Sequence, residues 1–489
     1  MDEVIFKSSR NLEALQLQAG IATRKVKDLI KYCSEITHSL ILQAWNSDRF
    51  EYLKSNFLEL IGFLIEATQD LKSKIDPKLI WIQLRRLFGI TWTKREIGIA
   101  CVSFALGTFV GWAIAVTIRK QQNAVRYMEA VQINNYFGPE VATVVEDAQA
   151  PYECGDYDVL INVKAGSVQI VDAQICCGYG RTLRKILRGL DKQSELPVIL
   201  GRDCTGIITD LGKKVNRLEI GDEVWVTVPY WSQGTLCQTI LISEHRVARK
   251  PKNVGFEGAC SLPYAGSLAL TVLSQANIHS DNVPDKRFLI QDGCTPVGCV
   301  LIQLLKHWNA HITTTCFRRA IPVAKALGAK EIISIDEESN DESTSEIKTM
   351  FKELQLRGES YDVIIVTRQS FPQLDLNEFH EFIRKQGKVL STIPSQLRSD
   401  SCNFFTKWLL KYYLRLKFLL ENIANLSDVK TDYDEAHLCH MTLDRLTELV
   451  EEGILQTVVD KVFQPKDIEM ALHYIQSPQS IGSSVVTFR

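Results

Sequence analysis

In the stretch Arg287-Phe288-Leu289-Ile290-Gln291-Asp292-Gly293-Cys294-Thr295-Pro296-Val297-Gly298, a short apolar run breaks into a turn bracketed by two glycines, and a helical stretch follows. A dinucleotide-binding unit is built this way, because the turn lets backbone N–H groups approach a pyrophosphate at the N-terminus of the next helix. Gly293 and Gly298 stand where the first and last glycines of such a turn belong. The middle position is Thr295, whose Cβ crowds the point of closest approach, and Pro296 removes a backbone donor. The stretch therefore specifies strand, turn and helix more firmly than it specifies a ligand.

Outward from this turn, strands are expected over 287–291, 311–316, 331–335, 363–367 and 388–392. The helical stretches between them have the length of crossover connections, so a parallel, doubly wound α/β sheet follows. Upstream, after Arg126, the texture is short β-like runs between turn residues, at 159–163, 206–209 and 223–228. From Ile454 onward β character returns, at 458–463 and 484–488.

The 489 residues are too many for one core, so two or three domains are expected. Hydrophobic residues at 45% and charged residues at 23% are ordinary for a globular chain, and a formal net charge of -2 leaves no electrostatic footprint for nucleic acid. The 13 cysteines include no C-x-x-C pair and read as free thiols in a reducing compartment. The first segment has no proline before Pro77 and carries Leu53, Phe57, Leu60, Ile61 and Leu64 at helical spacing, so residues 1–95 form a helical extension. Met1-Asp2-Glu3-Val4 opens no secretory or transit signal.

Residues 97–118 contain no charge and lie between Lys94-Arg95-Glu96 and Arg119-Lys120. At about 1.5 Å per residue this run spans a hydrocarbon core of roughly 30 Å, and one transmembrane helix is expected. Gly107 and Gly111 form a G-x-x-x-G pair that admits a second helix closely. Basic residues balance on the two sides, so no orientation follows.

Gly201-Arg202-Asp203-Cys204-Thr205-Gly206, then Gly212, Val215 and Gly221-Asp222-Glu223-Val224-Trp225, place glycines where tight turns join short strands. This pattern resembles the GroES-like catalytic domain of the medium-chain dehydrogenase/reductase superfamily. Val228-Pro229-Tyr230-Trp231, Gln233-Gly234-Thr235, Lys250-Pro251 and Ser261-Leu262-Pro263-Tyr264 are closer still to its zinc-free, quinone-oxidoreductase-like, reticulon-4-interacting protein 1 branch. The resemblance runs from about Tyr127 onward. It implies a GroES-like β domain over 127–263, completed by about 440–489, and a Rossmann-like cofactor domain over 264–439.

The resemblance also implies an NADPH cofactor held by Gly293, Cys294, Thr295, Val297 and Gly298. Arg318 and Arg319 follow the second strand where an NAD-selective site would carry an acid, and they are expected to grip the 2′-phosphate. No metal is expected, because the position of a family Gly-His-Glu ligand motif reads Gly201-Arg202-Asp203, and His437-Leu438-Cys439-His440 has no spaced partner cluster. Ser167-Val168-Gln169-Ile170-Val171-Asp172 with Gly178-Tyr179-Gly180 resembles the substrate-pocket segment, so Gln169, Asp172 and Tyr179 line the expected pocket. Tyr179 is either the acid that protonates a reduced carbonyl or quinone oxygen or a tyrosine packed in a turn. Two further departures are Val366-Thr367-Arg368-Gln369-Ser370, in place of an Asp-x-x-Gly-like turn, and Gly482-Ser483, in place of a Gly-Lys pair.

Over 404–420, Phe405, Trp408, Leu409, Tyr412, Leu416 and Leu419 run beside Lys407, Lys411 and Arg415. Such a helix either lies on an anionic lipid surface or packs on the body with a solvated basic face. Two functions are compatible with these residues. One is a membrane-anchored NADPH-dependent reductase of a quinone or conjugated carbonyl, set by resemblance in a mitochondrial membrane and linked to ubiquinone metabolism. The other is a catalytically inactive reductase-fold scaffold that engages a helical protein partner through residues 1–118.

Overall fold

The computed structural model describes residues 126–488, apart from 152–153, 191–194, 336–343, 369–375, 394–396, 398–399, 402 and 425–433, together with 103–104 and 107–108. Arg126–Leu409 with Lys430–Arg489 forms one compact unit. The expected helical extension lies outside the described residues. So does the expected membrane segment 97–118, Gly111 included, except for Ser103, Phe104, Gly107 and Thr108. Among the described residues no helix is long and apolar enough to cross a membrane.

Among the described residues the strands form three sheets. Strands β1 (Arg126–Ile133), β2 (Thr143–Ala150) and β4 (Val198–Ile199) form a small antiparallel sheet ordered β2-β1-β4. Strands β3 (Asp158–Val168), β5 (Asp203–Leu211), β6 (Glu223–Thr227), β7 (Thr239–Ser243) and β8 (Val247–Arg249) build the second sheet with β14 (Val459–Phe463) and β15 (Ser483–Thr487). Its order is β14-β15-β3-β5-β6-β8, with β7 also on β3. The β-like runs near the end of the sequence thus return to the strands that begin the unit, with β15 antiparallel to β3.

The third sheet is parallel throughout, ordered β11-β10-β9-β12-β13. Its members are β9 (Arg287–Gln291), β10 (His311–Phe317), β11 (Glu331–Ile335), β12 (Tyr361–Val366) and β13 (Ile383–Ser391). Central strands of such a sheet are covered on both faces, which is why Phe288, Leu289 and Ile290 run apolar without alternation and are fully buried. Helix Pro296–His307 presses Val300, Leu301, Leu304 and Leu305 into the same core as Phe288 and Ile290. In β10 the run Thr313-Thr314-Thr315 is equally buried, and it serves the turn after β9 rather than the core alone.

Candidate active site

The turn after β9 is held from the side by β10. The Asp292 N–H donates to Thr315 Oγ1 at 2.9 Å, and the Gly293 N–H lies 3.0 Å from Thr314 Oγ1 and 3.1 Å from the Thr315 carbonyl. A Cβ on Gly293 would sit 2.2 Å from Thr314 Oγ1, so glycine is required for this clamp. Asp292 itself takes a positive φ of 51°. From the other side, the Gly482 N–H donates to the Cys294 carbonyl at 2.7 Å.

Thr295 caps helix Pro296–His307, its Oγ1 accepting from the Gly298 N–H at 3.1 Å while lying 3.0 Å from Thr367 Oγ1. The donor that a phosphate would take from Gly298 is therefore met by the chain itself, and Pro296 has none. The Cys294 and Val297 amides take part in no hydrogen bond among the described residues. The turn thus fits a dinucleotide pyrophosphate through two backbone donors rather than through a full ring of them.

Arg368 follows β12 and reaches across this turn. Its Nη1 donates to Asp292 Oδ2 at 2.7 Å, its Nη2 to the Ser477 carbonyl, and its guanidinium lies 5.1 Å from the centre of the Phe317 ring. Its N–H and that of Thr367 both donate to Gln291 Oε1, at 3.0 and 3.2 Å. The two arginines expected to act as a pair are separated in role. Arg319 is engaged with Asp460 at 3.2 Å and the Gln479 carbonyl at 2.9 Å, whereas Arg318 is exposed and makes no ion pair among the described residues. The acid of β14 thus already engages Arg319 and not Arg318.

On the β-rich side, Asp172 and Gln169 are enclosed rather than open to a pocket. Asp172 Oδ1 accepts from Arg202 Nε at 3.1 Å and from the Gly201 N–H at 2.9 Å, and Oδ2 accepts from the Gln169 N–H at 2.9 Å. Arg202 gives its remaining donors to the Pro229 and Ile199 carbonyls at 2.9 and 3.2 Å. This fully buried guanidinium–carboxylate pair acts as a rivet between the Gln169 turn and the start of β5. Gln169 Nε2 donates to Ser167 Oγ at 2.6 Å, which lies 2.5 Å from Asp203 Oδ1, and Asp203 Oδ2 accepts from the Tyr264 N–H at 3.0 Å. Burial pushes the Asp203 carboxyl up to about 7. Among the described residues no group of three or more His, Cys, Asp or Glu is arranged to hold a metal ion.

Tyr179 lies between Gly178 and Gly180, both at positive φ (92° and 70°), and its ring meets Tyr230 edge-on at 5.3 Å. A Cβ on Gly180 would come within 2.5 Å of the Tyr230 ring, so glycine is what lets the two tyrosines touch. Asp400 fixes the loop from afar, accepting from the Gly180 and Thr182 N–H groups at 2.8 and 3.0 Å. Glu435 accepts from the Tyr264 hydroxyl at 3.0 Å and the Tyr230 N–H at 3.1 Å, and burial pushes its carboxyl up to about 7. Burial, with Glu435 and Asp400 nearby, also raises the Tyr179 phenol above its ordinary range. Tyr179 is thus a phenol that keeps its proton, beside two carboxyls that the sequence offered no spacing to find.

Two family models match the chain: Alcohol dehydrogenase GroES-like domain over residues 155–280, and Zinc-binding dehydrogenase over residues 327–486. The mitochondrial NAD(P)H oxidoreductase RTN4IP1 of Mus musculus is 35% identical over 387 residues, which are 73% of this chain and 89% of that protein. The mitochondrial Reticulon-4-interacting protein 1 of Caenorhabditis elegans is 37% identical over 343 residues, 68% of this chain and 88% of the worm protein. A chloroplastic quinone-oxidoreductase homolog of Spinacia oleracea is 27% identical over 365 residues, 74% of this chain and 99% of its own length. The solved quinone oxidoreductase from Coxiella burnetii shares the fold, with a TM-score of 0.55 at 22% identity over 74% of this chain and all of its own.

Proposed function

Because the chain belongs to the medium-chain dehydrogenase/reductase family and is an oxidoreductase of its quinone-oxidoreductase type, we propose that it reduces a quinone or conjugated carbonyl with NADPH at a mitochondrial membrane. The observation that carries this reading is the turn after β9, which leaves the Cys294 and Val297 amides uncommitted at the N-terminus of helix Pro296–His307. The name of the mouse relative supports a nicotinamide cofactor, the names of the mouse and worm relatives support mitochondria, and the name of the plant relative supports a quinone. The cofactor portion is 264–439; the GroES-like portion is 127–263 with 440–489.

The nicotinamide, when bound, supplies the hydride. The chain's residues bind and orient around it. Cys294 and Val297 donate to the pyrophosphate, and Gly293 and Gly298 let the turn pack tightly enough to present those two donors. Arg318 meets the 2′-phosphate of NADPH, a charge that NADH lacks. Tyr179 donates a hydrogen bond to the oxygen that gains charge as its substrate is reduced, and the raised phenol favours holding that proton until charge has developed. Residues 97–118 anchor the chain, and the exposed aromatic row of helix Phe404–Ala424 rests on lipid, with Phe404, Trp408 and Tyr412 at 87%, 49% and 53% exposure.

One observation favours the scaffold instead: the Gly298 donor is met by Thr295. Titration of the full-length protein with NADPH, read by nicotinamide fluorescence, decides between them. Saturable binding with quinone-dependent oxidation of NADPH is expected, and no binding at millimolar cofactor would leave the scaffold.

A further inference from the structure

Asp292 and Arg368 have no place in the binding scheme above, yet they occupy its centre. Asp292 is 3% exposed, stands in the turn itself at positive φ, and pairs its carboxylate with Arg368. Arg368 leaves the end of β12, pairs at the end of β9 and lies over Phe317 at the end of β10. One guanidinium therefore bridges the carboxyl ends of three adjacent strands of the order β10-β9-β12. In a parallel sheet wound from the middle outward, that crevice is where a dinucleotide lies.

We propose that Arg368 is a pyrophosphate-binding residue and that Asp292 is its resting counter-ion, displaced when the dinucleotide enters. This rests on the reading of the β9 turn as a dinucleotide site. The chemistry favours the exchange. Arg368 meets Asp292 through Nη1 and the Ser477 carbonyl through Nη2, a fork that matches two oxygens of a phosphate, and the pyrophosphate bridge brings two negative charges against the carboxylate's one. Arg368 also compensates for the weakened turn, because its positive charge replaces the donors lost at Gly298 and Pro296. Asp292 sets a threshold: a ligand must out-compete a carboxylate that is already in place, so weakly charged ligands are refused. Arg368 binds the part common to NADPH and NADH, whereas Arg318 meets the part that differs.

Full-length wild-type, Asp292→Asn, Arg368→Gln and Arg318→Gln proteins would be titrated with NADPH, with NADH and with inorganic pyrophosphate, folding being checked by thermal melting. Asp292→Asn is expected to tighten all three ligands, and Arg368→Gln to weaken all three, each on the order of tenfold. Arg318→Gln is expected to weaken NADPH alone. Equal affinities in wild type, Asp292→Asn and Arg368→Gln would overturn the proposal, as would weakening by Asp292→Asn, which would make the pair a structural brace. Failure of the reductase reading is seen separately: pyrophosphate binding that depends on Arg368 without dinucleotide binding to any protein would refute the reductase and leave Arg368 an anion site. Binding of none of the three ligands, even to Asp292→Asn, would overturn both.

Discussion

Tyr179 carries a phenol whose proton is held by burial and by two nearby carboxyls. Replacing it with Phe removes the hydrogen bond but keeps the ring against Tyr230. The expected result is a loss of about a hundredfold in kcat for quinone reduction with little change in KM. An unchanged kcat would leave Tyr179 a packing residue. Asp203 gives a second expectation. Its carboxyl is raised, so the folded state keeps a proton that the unfolded chain gives up; the stability this contributes is complete at acid pH and is lost as pH rises from about 4 through about 7. In Asp203→Asn the group no longer ionises while its oxygen still accepts from the Tyr264 N–H, and urea midpoints should fall less steeply across that window than in the unmodified protein. The glycine turn was legible because its residues are contiguous and each has a steric duty. Glu435, Asp400 and the Asp292–Arg368 pair were not, since each meets its partners across 76 residues or more and no periodicity reports such a contact.

At the scale of elements, helix Pro296–His307 approaches the turn so closely that a Cβ on Gly298 would lie 2.8 Å from the Asp292 carbonyl and the Gly293 backbone. Gly298→Ala is expected to cost about 1–3 kcal/mol in thermal or urea melts, because backbone must move. Gly255→Ala, where an added Cβ meets nothing within 4 Å, should be neutral. Strand positions were largely readable: expected runs at 287–291 and 331–335 coincide with β9 and β11. Where the expectation slipped, hydrogen bonding explains it. The run expected to end at Thr367 stops at Val366, because the Thr367 hydroxyl turns back onto the Gln291 and Asp292 carbonyls at 2.6 and 2.7 Å. Strand β13 begins at Ile383 rather than near Lys388, through an irregular pairing opposite Tyr361 that apolar patterning does not encode.

For the whole molecule, the uncharged run 97–118 predicts an integral membrane protein. Carbonate extraction should leave the full-length chain in the pellet, and removal of 97–118 should release it unless helix Phe404–Ala424 alone suffices. The architecture of the described body followed from the alternation of strand and helix, whereas residue patterns gave no account of how the last strand returns. Ser484 stands opposite Val168 and Thr487 opposite Ala165. A ribosome that has finished β3 must therefore translate nearly all of the remaining body before β15 exists, an interval of tens of seconds at roughly 5–20 residues per second. Throughout it, the 165–168 end of β3 presents unpaired backbone groups to any neighbouring chain. The edge that the earliest strands leave open is thus closed only when synthesis of the body is nearly complete.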